Sequence, residues 1–326
     1  MKRIRYVLLA LFIIGAVSCS AKRTCRVCRS TMCYAVKGGD SLLMDRYTTV
    51  KKAKVKEARP CLIFLFGGGF TGGDRRAPQY ADFFDHMALQ GCDVLSIDYR
   101  TGLKDASVAD FASPEAFARK LVGAIRLAVD DLYSATRYAV EQSGEWGLDP
   151  EQILVMGSSA GAITVLQGEY MRCNGDPQAA MLPEGFRYAG VISLAGAIFH
   201  LGEGLEWQER PAPMLLFHGN ADRNVPYDAV LLPGAGFFGS QYIARSLTAK
   251  EAPHWFYAIR GADHVVAESP MEEHRQEIEE FIRRYVKEQS RNMLRTEERR
   301  PGTEEQEYNF TIADYIQQNY GTSSAQ

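Results

Sequence analysis

The chain has 326 residues, of which 46% are apolar and 24% charged, enough to bury one large core with or without appendages. A formal net charge of −3, with no interleaving of aromatic and basic residues, excludes a polynucleotide surface as its working face.

Lys2, Arg3 and Arg5 precede an apolar run over residues 6–17 that is too short to span a bilayer comfortably, so residues 1–18 read as a secretory signal peptide. Ala16-Val17-Ser18-Cys19 resembles a bacterial lipobox, with Ala16 where an aliphatic residue is usual, and this makes Cys19 the expected lipidation site. The expectation is a cell-envelope protein held at the membrane by its N-terminal lipid. Simple cleavage after Ser18, giving a secreted or periplasmic soluble protein, is the alternative. Residues 19–33 read as an N-terminal tether. Cys25, Cys28 and Cys33 within it lack a fourth ligand nearby, so a surface disulfide or free thiols fit better than a zinc knuckle.

From Tyr34 onward the chain alternates. Residues 61–66 (Cys-Leu-Ile-Phe-Leu-Phe) read as a buried strand running into Gly67-Gly68-Gly69-Phe70, and residues 94–97 form the next. Ser113 caps a helix with Pro114 at its first position. Ile153-Leu154-Val155-Met156 is again a buried strand, and it opens into Gly157-Ser158-Ser159-Ala160-Gly161, a Gly-x-Ser-x-Gly turn between strand and helix. Three further apolar runs, at 191–195, 214–217 and 255–259, are spaced by helix-length segments. Strands alternating with helices predict an α/β fold, a mostly parallel central sheet covered by helices on both faces, with its site at the carboxyl ends of the strands.

Those ends carry the chemistry. A sharp elbow holds Ser159 out of the sheet, and a nucleophilic serine needs a base that is itself oriented by an acid. Asp222 and His264 follow Ser159 in the chain order this elbow requires. Asp228 and Asp263 are rival acids, and His218 is a rival base. Three glycines after a buried strand leave backbone N–H groups free to face a developing oxyanion, which singles out Gly68 and Gly69 together with Ala160 beyond the serine.

Residues 34–288 resemble an α/β-hydrolase of the carboxylesterase or lipase-like group. The matching pieces are residues 66–70 for the group's His-Gly-Gly-Gly motif, Asp98-Tyr99-Arg100, Asp149-Pro150, the elbow, Asp222 within His-Gly-x-x-Asp-x-x-Val-Pro, and His264 after the last strand. Phe66 departs from the group's histidine. The resemblance implies a serine esterase that cleaves small acyl or sugar-linked esters through an acyl-enzyme and needs neither cofactor nor metal. A catalytically silent binding protein of this fold, or a serine peptidase, are the alternatives. Phe70, Phe199, Trp207, Phe237 and Phe238 are the candidate pocket-lining residues, and residues 234–239 a candidate flap. Ser269 reads as a capping-box residue opening the closing helix. Residues 289–326 read as a charged linker with a short terminal helix, apolar at Ile312, Tyr315, Ile316 and Tyr320, that folds back on the domain.

Overall fold

The computed structural model describes residues 26–49, 58–111, 113–299 and 310–321. The signal segment, Cys19 and Cys25 lie outside them. Two edge strands, β1 (Val27–Lys37) and β2 (Asp40–Thr49), lead into β3 (Arg59–Leu65), α1 (Pro78–Leu89) and β4 (Asp93–Ile97). The long α2 (Pro114–Trp146) precedes β5 (Leu148–Ser158), α3 (Ala160–Cys173), β6 (Gly190–Leu194), β7 (Ala197–His200) and β8 (Met214–Gly219). After β9 (Ala229–Leu232), β10 (Ala235–Gly239) and α4 (Ser240–Ala249) come β11 (His254–Arg260), α5 (Pro270–Glu273), α6 (Arg275–Phe281), β12 (Met293–Arg299) and α7 (Ile312–Tyr320).

Nine strands form the main sheet in the order β1-β2-β4-β3-β5-β6-β8-β11-β12. β1 and β2 are antiparallel to each other and β2 to β4, and from β4 to β12 all neighbours are parallel. The central strands β4, β6 and β8 are buried at every residue, as strands covered on both faces must be. On one face α1 packs against α5, and on the other α2 packs against α3. Ser113 caps α2 by accepting the N–H of Ala116, and Gly147 closes it in the left-handed conformation at φ 66°.

Four sequence expectations are corrected. Residues 27–33 are not tether but the larger part of β1, which pairs with β2 from Val27 to Lys37. The charged segment after residue 289 is not all linker. Its β12 pairs in parallel with β11, and the regular alternation of its exposed residues with half-buried ones shows why so polar a stretch serves as an edge strand: one row of side chains stays in water, and charge there discourages pairing with another chain. Residues 234–239 are no flap, since β10 is wholly buried between β7 and β9 in a separate three-stranded antiparallel sheet. Ser269 makes no side-chain cap, because it is itself helical (φ −56°, ψ −32°) and its N–H already bonds Val265 O. The capping box sits instead at Thr311, whose hydroxyl accepts from Asp314 N while Asp314 accepts from Thr311 N. α7 does fold back, burying Tyr315 and Tyr320. Among the described residues no helix is long and apolar enough to cross a membrane.

Candidate active site

β5 turns into α3 at Ser159, whose backbone (φ 49°, ψ −114°) lies where non-glycine residues pay about 1–3 kcal/mol of strain. The surroundings leave it no alternative. A Cβ on Gly157 would sit 2.2 Å from the Gly161 carbonyl, and one on Gly161 would sit 2.1 Å from Leu65 O, so the chain crosses itself and the neighbouring strand at distances only hydrogen permits. Ser159 N is spent on Leu194 O at 2.9 Å, which locks the elbow to β6.

The loop after β8 delivers Asp222 and the turn after β11 delivers His264. Asp222 Oδ2 lies 2.7 Å from His264 Nδ1, and His264 Nε2 lies 2.8 Å from Ser159 Oγ. With its Nδ1–H donated to the carboxylate, the imidazole presents Nε2 as the acceptor of the serine hydroxyl proton. Burial alone would raise the Asp222 pKa. The imidazoles of His264 and His218 outweigh burial and hold the carboxyl well below the usual carboxylate range. The other oxygen of Asp222 accepts from the N–H groups of Asn224 and Val225 at 2.7 and 3.0 Å, so the acid is fixed before the histidine reaches it.

The rivals are engaged elsewhere. Asp263 accepts from Val265 N in its own turn, and Asp228 is paired with Arg245 and Gln241. His218 is fully buried, with Nδ1 2.8 Å from Ser240 Oγ and Nε2 3.3 Å from Asp222 Oδ2. It therefore supports the acid from behind and does not touch the serine.

Beyond β3 the backbone turns through Gly68, Gly69 and Phe70 at φ 134°, 60° and 60°. Thr71 N and its hydroxyl both donate to Gly68 O at 2.9 Å, closing the turn. A Cβ on Gly68 would fall 2.1 Å from Gly72 O. The amides of Gly68 and Gly69 meet no acceptor among the described residues. Ala160, at the first position of α3, offers one of the N–H groups a helix start leaves unpaired. Phe66 is stacked on Tyr99 with ring centroids 4.4 Å apart, while the Tyr99 hydroxyl donates to Phe66 O at 2.8 Å. The residue that departs from the histidine of the motif is thus a packing element.

No family model matches the chain. It is 30% identical over 130 residues to gut esterase 1 of Caenorhabditis briggsae, a match covering 40% of this chain and 21% of that protein. It is 28% identical over 109 residues to the fumonisin B1 esterase of Sphingopyxis macrogoltabida, covering 33% of this chain and 19% of that one. The match therefore spans about a fifth of these relatives. Among solved structures, a propionate-bound thermophilic esterase from the planctomycete Thermogutta terrifontis superposes with a TM-score of 0.56 at 19% identity, over 79% of this chain and 93% of that one. The fold is the α/β-hydrolase fold.

In this α/β-hydrolase fold the cleft over Ser159 holds about 640 Å³ and is walled by Thr71, Asp74, Gln79, Tyr80, Asn224, Val265, Glu268, Gln318 and Asn319 among others. None of the five aromatic candidates lines it. Phe70 is fully buried and anchors its turn through Phe70 O, which accepts from Leu103 N. Phe237 packs between Phe199 and Tyr315, Phe238 packs on Tyr242, and Trp207 packs on Tyr170 and donates to Ser246 Oγ. Phe199 instead borders a larger cavity of about 780 Å³ beside α3 that contains no member of the Ser159 cluster, so size is no guide to the chemistry here. Sequence reasoning missed Tyr80, whose hydroxyl accepts from Gly67 N at 3.4 Å, and missed Asn224, Gln318 and Asn319 altogether. Asn224 sits at a variable position inside the Asp222 motif. The last two come from the far end of the chain, and only packing brings them to the serine.

Proposed function

We propose that this chain is a serine carboxylic ester hydrolase. The observation that carries the reading is the unbroken line Ser159–His264–Asp222, with contacts of 2.8 and 2.7 Å, in a cleft whose glycine turn offers amides that meet no acceptor among the described residues. In the first half-reaction Ser159 Oγ attacks the ester carbonyl as His264 Nε2 takes its proton, and Asp222 stabilises the imidazolium. The carbonyl oxygen, now negative, is met by the N–H of Ala160 and those of Gly68 or Gly69. His264 returns the proton to the departing alcohol. Water then repeats the sequence on the acyl-enzyme and frees the acid.

The cleft also favours one kind of ester. Its walls carry the carboxylates of Asp74 and Glu268 and the amides of Gln79, Asn224, Gln318 and Asn319 beside Tyr80, Val265 and two alanines, with no phenylalanine or tryptophan among the described residues to seat an acyl chain. Such a lining suits a short acyl group on a polyhydroxylated alcohol, including sugar-linked esters, better than a lipid. The esterases it partly resembles are consistent with this reading without naming its substrate.

Purified protein should hydrolyse acetylated sugars and p-nitrophenyl acetate, with kcat/KM falling as the acyl chain of the p-nitrophenyl ester lengthens beyond butyrate. Ser159→Ala should lower kcat by about 10³- to 10⁶-fold. Equal turnover by the two proteins would remove Ser159 as the nucleophile, and a rise in kcat/KM towards octanoate would remove the short-acyl assignment.

A further inference from the structure

We propose that α7 is a working part of the catalytic site, with Asn319 and Tyr320 as positioning residues that hold the Gly68-Gly69 turn in oxyanion-binding geometry. The proposal rests on the ester-hydrolase reading above and goes beyond it, because no sequence motif of the site includes the chain's last helix.

Two contacts converge on Gly69, and a third ties the same helix turn to the loop of Asp222. The Tyr320 hydroxyl, buried with its ring, donates to Gly69 O at 3.1 Å. Asn319 Oδ1 lies 3.1 Å from the point where a Gly69 side chain would begin, so the carboxamide closes the space over that residue. Asn319 Nδ2 donates to Tyr315 O at 2.9 Å and reaches Asn224 O at 3.4 Å. Asn224 in turn donates its N–H to Asp222 at 2.7 Å. The last turn of α7 therefore bridges the loop that carries the amide donors and the loop that carries the acid, on the rim of the cleft that holds Ser159 and His264.

The need for such a bridge follows from the turn itself. Successive glycines in the left-handed region are the residues with most conformational freedom to lose, and donors stabilise an oxyanion only if they are already aimed at it. Thr71 secures Gly68 O from inside the loop. Gly69 O is secured from outside, by Tyr320. The helix is anchored by its rings, Tyr315 edge-on against Phe117 and Phe237 and Tyr320 against Phe111, while the Asn319 carboxamide and the Tyr320 hydroxyl reach the loop; Tyr320→Phe removes that hydroxyl and keeps the ring.

The test compares the full-length wild type with Asn319→Ala, Tyr320→Phe and, as a control, Gln317→Ala, whose side chain is exposed on the same helix. Two readouts are taken: kcat and KM on p-nitrophenyl acetate, and hydrogen exchange of the amides in residues 67–71. Asn319→Ala should lower kcat about tenfold and Tyr320→Phe several-fold, with KM changed less than about twofold, since misplaced donors weaken transition-state stabilisation more than ground-state binding. Exchange at 67–71 should quicken in both variants and match wild type in Gln317→Ala. Unchanged exchange in Asn319→Ala and Tyr320→Phe overturns the proposal whatever the activity, and so does wild-type kcat in both. If the wild type shows no Ser159-dependent hydrolysis, the ester-hydrolase reading fails, and the exchange measurement still decides whether α7 holds the turn.

Discussion

At the scale of single residues, the site is built from positions where the side chain that is missing matters as much as the one present. Gly68 has φ 134° and no room for a Cβ within 2.1 Å of Gly72 O, whereas Phe66 is fixed by its stacking on Tyr99 and contributes no atom to the cleft walls. Gly68→Ala should therefore reshape the turn and lower kcat by about 10²- to 10³-fold, the usual loss for one oxyanion donor. Phe66→His keeps the ring and the backbone, and should change kcat by far less. The comparison is made at temperatures matched to each variant's Tm, and a Gly68→Ala protein with wild-type turnover would place the oxyanion donors elsewhere.

Elements, rather than residues, decide how the cleft is walled. A helix of nine residues such as α7 is marginal in water even with its capping box, so its stability has to come from what it packs against. Tyr315 supplies that contact: its ring is fully buried among Phe117, Phe237 and Tyr320, and burial pushes its hydroxyl up to about 12. Tyr315→Ala removes an aromatic anchor of a kind typically worth about 3–5 kcal/mol. Because the sheet and its two helical layers do not depend on that ring, the loss should appear as release of α7 and not as global unfolding. Limited proteolysis read by mass spectrometry should show rapid cleavage within 310–321 in the variant while the rest of the chain stays resistant. A variant helix as protected as the wild type would mean that other contacts hold α7.

For the molecule as a whole, the buried Asp222 ties stability to pH. Its folded pKa is depressed, so its contribution is fully present above the unfolded-state value of about 3.9 and is lost as pH falls through the folded one. Urea midpoints measured at pH 7, 5 and 3 should fall towards acid in the wild type. In Asp222→Asn the protein should be less stable at pH 7, with a shallower fall, since an amide has no proton to take up. Equal slopes would show that other depressed carboxylates, such as Asp45 and Asp176, carry the acid sensitivity instead.

Much of this arrangement was already legible in local sequence. A buried parallel strand announces itself as a short apolar run, which is why the strands at 61–66, 94–97, 153–156, 191–195, 214–217 and 255–259 and the elbow at Ser159 could be read directly. Asp222 and His264 could be read because each follows such a strand at its carboxyl end. What stayed hidden lacked a buried run of that kind. β12 carries no apolar run, being charged along most of its length because one row of its side chains faces water, and β1 is a half-exposed edge strand whose apolar run from Met32 to Val36 buries only Tyr34. That Asp222 and neither rival meets His264 is a fact of three-dimensional pairing: Asp228 is held by Arg245 and Gln241 and Asp263 by Val265 N, while Asp222 Oδ2 reaches His264 Nδ1. The aromatic residues that looked like pocket walls were drawn into the core by the burial that makes any aromatic favourable there, and the cleft was left to a mixed lining in which polar side chains, two of them from α7, stand beside Tyr80, Val265 and two alanines. By itself the sequence determined the sheet, the elbow and the order of Ser159, Asp222 and His264 at the strand ends, because these depend on runs and turns of a few residues. Which side chains wall the cleft, and which hold its glycine turn, only the tertiary structure decided, because those contacts join Gly69 and Asn319 across 250 residues, and no local pattern encodes a meeting at that separation.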